Sequence, residues 1–311
     1  MLKCTQILRK IIPSTPMKIN ANYVLGLDVN TKSTGYAILT YDDWETKEVG
    51  IIDTESQNIY EFGNTMKERL YEITKPYVDE YEQQKKSESN EMNIENETII
   101  QEDIGKYIHN KDNGFIIGIE SLLGQTMRGR SSAKTMAALS SANIITDYEC
   151  FRTLHTQPLH SNVTAARGFL KIKFPRTTTS LHKKKIVYDH LEPALPKGFE
   201  PERGRMGALK PSAFDISDAL LIALYTRAQH EIMQDVEAAV ESNYIYEWGE
   251  NYLSRKKRCL SFVKTKYGED YEKKKGYKDY LIESYHDDLS RKLSNRVRAD
   301  LGLGDTKSFE M

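Results

Sequence analysis

The sequence predicts an α/β protein: a mixed β-sheet flanked by helices, carrying an acidic insertion and a helical C-terminal extension. Three observations predict it. Residues 23–54 hold three β-rich apolar runs joined by short polar links. From residue 115 onward, strand-like runs alternate with longer stretches of helical periodicity. The composition then shifts twice, to polar and acidic over 76–113 and to Tyr-, Lys- and Arg-rich beyond 232. With 311 residues and 39% hydrophobic content, the chain can bury one enlarged core plus appendages.

The elements follow in order. Strands are predicted over 23–28, 35–41 and 48–54, connected through "NTKST" and "DDWETK" as an antiparallel meander. Met66, Leu70, Ile73 and Tyr77 recur at helical spacing over 64–85. Residues 76–113 carry ten acids against four lysines and predict a solvated insertion rather than an acidic partner site. "FIIGIE" at 115–120 predicts a strand, 131–148 a tightly packed helix of small residues, 151–156 another strand before Pro158, and 181–192 a helix. A last core helix is predicted over 211–229, entered from Pro211. The predicted domains are 1–20, 21–231 and 232–311.

The first 27 residues contain no Asp or Glu, while Lys3, Arg9, Lys10 and Lys18 alternate with Leu2, Ile7, Leu8, Ile11 and Ile12. That basic, amphipathic, acid-free pattern predicts an organelle transit segment over 1–20, against the plainer reading of a frayed arm. The expected destination is the mitochondrial matrix, with the plastid as alternative. No apolar run approaches the roughly 18 residues of a membrane span. Cys4, Cys150 and Cys259 form no CxxC motif and no disulfide framework, which points to a reducing compartment. The formal net charge of −1 excludes nothing about partners.

Two apolar strands end on a carboxylate, "YVLGLD" at Asp28 and "FIIGIE" at Glu120. Asp215 and Asp218 stand three apart at the start of a helix, where they share a face. Each has a plain structural reading: Asp28 and Glu120 as turn residues, Asp215 as an N-cap, Asp218 as a first-turn dipole partner. Together they describe a different object. Clustered carboxylates in an apolar frame repel and raise one another's pKa. Divalent cations offset that cost, because hard cations take oxygen ligands, and magnesium uses few carboxylates plus phosphate.

The order of these motifs resembles the RNase H-like superfamily and, within it, the RuvC-type Holliday junction resolvases with their organellar relatives. "GLDVNTKSTGYAIL" resembles the family's first motif, "IGIESLLGQTMRGRSSAKTMAALSSA" its second, and "FDISDALLIALYTRA" its last, so the resemblance covers about 23–229. It implies an RNase H-like mixed β-sheet. It further implies a magnesium-dependent endonuclease, with manganese able to substitute and two ions per site, cutting four-way DNA junctions with water as nucleophile. Asp28 would bridge both ions, Glu120 and Asp215 would complete one site and Asp218 the other. "SLHKKKIVYDHL" resembles the family's lysine segment and places the catalytic lysine at Lys183, with Lys184 and Lys185 as alternatives. A second family lysine falls on His160 in "PLHSNVTA", a phosphate contact or a plain loop histidine. Junction symmetry implies a homodimer. No small-molecule cofactor and no membrane are expected.

Between 155 and 210 the chain has eleven Lys/Arg and four acids, a net +7 that includes Arg167 and Lys183, Lys184 and Lys185. Such a segment neutralises phosphate or simply faces solvent. Gln125, Arg128 and Arg130 follow Glu120 directly and are expected to grip a junction. Between 251 and 279 ten Lys/Arg face four acids, and Tyr244, Tyr246, Trp248, Tyr252, Tyr267 and Tyr271 lie nearby; these aromatics either contact DNA or cover the core. Three other readings share parts of the pattern. A phosphotransferase of the actin and sugar-kinase class would need a second phosphate hairpin, which the sequence lacks. A nuclease for RNA–DNA hybrids or flaps would share the whole metal site. A non-catalytic scaffold would need none of its carboxylates, yet all four are present.

Overall fold

The computed structural model describes residues 21–54, 58–91, 114–121, 133–268 and 270–304 of the chain. The described residues fall into two compact units, 21–227 with 298–304, and 228–297.

The larger unit is built on a five-stranded sheet of strands β1 (Tyr23–Asp28), β2 (Ser33–Thr40), β3 (Thr46–Asp53), β4 (Phe115–Glu120) and β5 (Leu159–Ser161). Their order is β3-β2-β1-β4-β5. β1, β2 and β3 pair antiparallel, as their short links require, and β4 and β5 join parallel. The sheet is therefore mixed, with helices on both faces. Alternate residues of β1 and β4 divide between those faces. Tyr23, Leu25, Leu27, Phe115, Ile117 and Ile119 pack with Phe62, Met66, Leu70 and Ile73 of α1 (Ile59–Glu91) and with Ala142, Cys150 and Leu154 of α2 (Ala133–Leu154). The other face receives α5 (Pro211–Glu241).

α1 begins where Asn58 accepts hydrogen bonds from the Tyr60 and Glu61 amides, both at 3.0 Å. It runs to Glu91, so the first part of the expected insertion is helical rather than a loop; 92–113 lie outside the described residues. The expected strand at 151–156 is overturned. The buried stripe of α2 continues through Thr146, Cys150 and Leu154, and the helix stops only at His155, which takes the left-handed φ of 50°. The strand comes later, as the three residues of β5. α5 likewise outruns its expected end at 229, reaching Glu241 before Asn243 turns left-handed at φ 58°. The expected boundary at 231 and the division of the compact units both fall inside this helix. The expected transit segment, 1–20, lies outside the described residues.

α3 (Val163–Phe169) and α4 (Ser180–Leu191) complete the larger unit's regular helices. The smaller unit contains α6 (Tyr244–Arg255), α7 (Lys257–Tyr267) and α8 (Lys275–Asp300) around Ile245, Leu253, Val263, Tyr277 and Leu281.

Candidate active site

Three glycines bring α5 onto the sheet. A Cβ at Gly26 would meet the Ala219 carbonyl and lie 2.5 Å from the Ala223 nitrogen. One at Gly118 would lie 2.8 Å from Thr226 Cβ, and one at Gly35 2.5 Å from the Asp215 carbonyl carbon. Gly26 and Gly118 are register partners on the central strands, and Gly35 pairs with Asp28. Side chains two residues apart share a strand face. Asp28 and Glu120, each two residues beyond its glycine, therefore emerge on the α5 face just where the sheet ends. The helix itself delivers Asp215 and Asp218.

The carboxylates are correspondingly buried: Asp28 is 8% exposed and Asp215 and Asp218 each 6%, while Glu120 is partly exposed. Burial, then the charges of Asp218 and Glu120, push the Asp28 carboxyl well above the usual carboxylate range. The side-chain interaction between Asp28 and Glu120 works in opposite directions on the two, raising Asp28 and lowering Glu120. Burial also raises Glu120 and Asp218, in the latter case against the lowering effect of Arg167.

Among the described residues, two cations face the cluster. Asn162 caps α3 by accepting from the Thr164 and Ala165 amides, and from that helix Arg167 Nη2 donates to Asp218 Oδ1 at 3.2 Å. Thr179 caps α4 through the His182 amide, and one turn on, Lys184 Nζ donates to Asp215 Oδ1 at 3.3 Å. Ser33 Oγ donates to the other Asp215 oxygen at 3.3 Å. Burial pulls the Lys184 ammonium down, but Asp215, Asp218 and Asp28 together outweigh it and hold its pKa above the ordinary value.

These contacts revise the residue assignments. Lys183, the first choice from the sequence, extends over the Phe174 ring with its ammonium 5.9 Å from the centroid. Lys185 pairs with Asp189 at 3.5 Å. The lysine at the carboxylates is Lys184, because successive residues of a helix point about 100° apart and only one of three can face the cluster. His160 is not a loop histidine: it lies in β5, and its Nε2 sits 2.9 Å from Asp147 Oδ2 on α2. Its neighbour Ser161 meets Thr226 of α5 at 3.1 Å, so His160 faces away from the carboxylate side of the sheet. Arg167 stands with the carboxylates. Asp215 is not an N-cap but the fifth residue of α5. Gln125, Arg128 and Arg130 lie outside the described residues. Ser33 and the three glycines were missed, although "LGLD" and "IGIE" repeat one signal, a glycine two residues before a strand-ending carboxylate.

Among the described residues, no three His, Cys, Asp or Glu side chains form a ready-made metal cage. The donor set nonetheless fits a hard divalent cation: four carboxylates, three of them buried, whose repulsion a cation would relieve. Arg167 and Lys184 each engage one oxygen of one carboxylate, Asp218 Oδ1 and Asp215 Oδ1.

No protein-family model and no curated protein matches the chain. Among solved structures, the chain is similar to "T. thermophilus RuvC in complex with Holliday junction substrate" at 11% identity and a TM-score of 0.38, over 67% of this chain and 95% of that one. It is similar to "Thermus thermophilus RuvC structure" at 12% identity and a TM-score of 0.38, over 67% and 96%.

Proposed function

We propose that the protein is a magnesium-dependent, structure-specific endonuclease that resolves four-way DNA junctions by paired nicks. The observation that carries the nuclease reading is the buried cluster of Asp28, Glu120, Asp215 and Asp218 beside Arg167 and Lys184. An apolar frame does not gather four carboxylates without a counter-charge to receive. Asp28, Glu120, Asp215 and Asp218 would hold the ions, which when bound lower the pKa of water and neutralise charge on a phosphodiester. Arg167 and Lys184 present positive charge at the rim, where a phosphate approaches the carboxylates. Lys183, one residue away on the exposed side, adds to that field together with the basic segment 155–210. Gln125, Arg128 and Arg130 are proposed as junction contacts.

The choice of a four-way junction rests on the order of the three sequence motifs. A homodimer matches the two strands to be cut. α2 supports it with an outward stripe of Ile144, Tyr148 and Phe151, 68%, 56% and 39% exposed, at the four-then-three spacing of a helix–helix seam. Action on organellar DNA is proposed on the basic, acid-free pattern of residues 1–20. A second reading, a non-catalytic nucleic-acid-binding scaffold, is favoured by the same Arg167 and Lys184 contacts, which neutralise carboxylates without any metal.

Cleavage of a synthetic four-way junction in magnesium, beside linear duplex, flap and RNA–DNA hybrid, separates these readings. Symmetric nicks in the junction alone, lost in Asp28→Asn, are the expected result. Junction binding without cutting in magnesium or manganese would establish the scaffold, and cutting of hybrid or flap instead would keep the chemistry and replace the substrate.

A further inference from the structure

In the smaller unit, 228–297, several of the aromatic residues pack together. Trp248 stacks on Tyr252 at 4.6 Å and meets Tyr285 at 5.0 Å, while Tyr271 meets Tyr277 at 5.1 Å. Trp248, Tyr252, Tyr267 and Tyr271 all pack against the buried cluster of this unit. Four of the six aromatics in question thus pack on the core, while Tyr244 and Tyr246 are exposed.

α7 contains no acidic residue. Its apolar side, Val263 with Leu260, Cys259 and Tyr267, packs inward. Its exposed positions are Arg258, Ser261, Phe262, Lys264, Thr265 and Lys266. The exposed Lys256 precedes it, and the exposed Lys273 and Lys274 follow in the next turn. Aromatic faces orient part of this charge: the Lys256 ammonium lies 4.9 Å from the Tyr252 centroid, and that of Lys266 lies 4.9 Å from Tyr267 and 5.6 Å from Phe262. Among the described residues of the same segment, the exposed acids are Asp270 and Glu272.

We infer that this face of α7, with the cations flanking it, is a second nucleic-acid surface that binds the phosphate backbone of duplex DNA without sequence preference. It lies on the unit that lacks the carboxylate site and does not depend on that site's chemistry. Charge complementarity selects the occupant. A regular polyanion needs only spaced cations and hydroxyls. A protein partner needs a desolvated apolar centre, and an anionic membrane needs an apolar helix face; here both would have Phe262 alone, since the other apolar groups of α7 are committed to the core. A single strand needs a row of stacking rings, and the exposed side of α7 carries one, Phe262.

The test is fluorescence anisotropy of the full-length protein on a labelled linear duplex, in EDTA so that nothing is cut, between about 50 and 200 mM salt. Neutralising Arg258, Lys264 and Lys266 to Gln should weaken binding at low salt by about tenfold or more and reduce the slope of log affinity against log salt by about 2–3. Neutralising Lys67, Lys75 and Lys86, exposed on α1, should leave both nearly unchanged. Equal effects from the two triples, or none from the first, would overturn the assignment. So would tighter binding of single strand, polyglutamate or anionic vesicles through the same three residues. If the triple variant loses its helical circular dichroism, Arg258→Gln alone carries the test, with an expected fall in slope of about 1.

Discussion

Replacing Gly26 with alanine adds one methyl group at the place where sheet and helix touch. The new Cβ would stand 2.5 Å from the Ala223 nitrogen and closer still to the Ala219 carbonyl, about 1 Å short of ordinary van der Waals contact. Both neighbours are backbone, so no rotamer change relieves the overlap; α5 must move by roughly that distance. Overpacking of this kind costs about 1–3 kcal/mol. For a unit of this size that corresponds to a fall in Tm of roughly 3–10 °C. The same displacement moves Asp215 and Asp218 away from Asp28, and a misplacement of about 1 Å costs on the order of a hundredfold in rate. Gly118→Ala provides the contrast, because its Cβ would meet the Thr226 side chain, and Thr226→Ala should restore part of the loss by removing the hydroxyl and methyl, its own Cβ still lying 2.8 Å away. Thermal denaturation and single-turnover junction cleavage read the two effects. Wild-type Tm and rate in Gly26→Ala, or no rescue of Gly118→Ala by Thr226→Ala, would refute the view that these glycines set the distance between sheet and helix.

Four further outcomes are expected. Because the Asp28 carboxyl is raised well above its ordinary 3.8, the folded metal-free protein holds a proton that the unfolded chain has released; stability should therefore decline as pH rises from the ordinary carboxylate range through the raised value. Magnesium or manganese should reverse that decline and release protons on binding, measurable by denaturation at several pH values and by titration in weak buffer. Lys184→Ala should slow cleavage about a hundredfold while Lys183→Ala changes it only a few-fold, in single-turnover assays that include a charge-retaining Lys184→Arg control. His160 should titrate above its ordinary 6.5 by NMR, because its hydrogen bond to Asp147 favours the charged ring, and Asp147→Asn should abolish the elevation. If the proposed homodimer forms through the exposed stripe of α2, Tyr148→Glu should yield a monomer in sedimentation experiments where the wild-type chain sediments as a dimer, with circular dichroism unchanged.

The strands that end on Asp28 and Glu120 were legible because a buried strand carries a near-continuous apolar run, and a carboxylate at its end interrupts that pattern. The opening of α5 was legible for a similar reason, with Asp215 and Asp218 three apart ahead of a long apolar helix. β5 was not. Three residues carry too little alternation to register, whereas Cys150 and Leu154 extend the helical stripe of α2 past the point where the small residues stop. Which of Lys183, Lys184 and Lys185 reaches the carboxylates depends on the rotation of α4 about its own axis, which Thr179 and the packing of Ile186, Val187 and Leu191 set. Three consecutive identical residues cannot report that rotation. The glycines were readable in principle. A glycine inside a strand marks close approach of another backbone, and the repeated glycine–apolar–carboxylate spacing stated which element would approach and where. Composition alone left the aromatic residues beyond 244 open, since a tyrosine-rich segment builds a core or a stacking platform with equal ease.

The central claim is that the four carboxylates exist to bind divalent cations. Calorimetric titration of manganese or magnesium into the metal-free protein tests it most directly, beside Asp28→Asn and Asp218→Asn. The account predicts saturable binding at two sites, accompanied by proton release and lost or halved in the variants, with folding retained. Absence of binding in the wild-type protein, or binding that survives both substitutions, would contradict it.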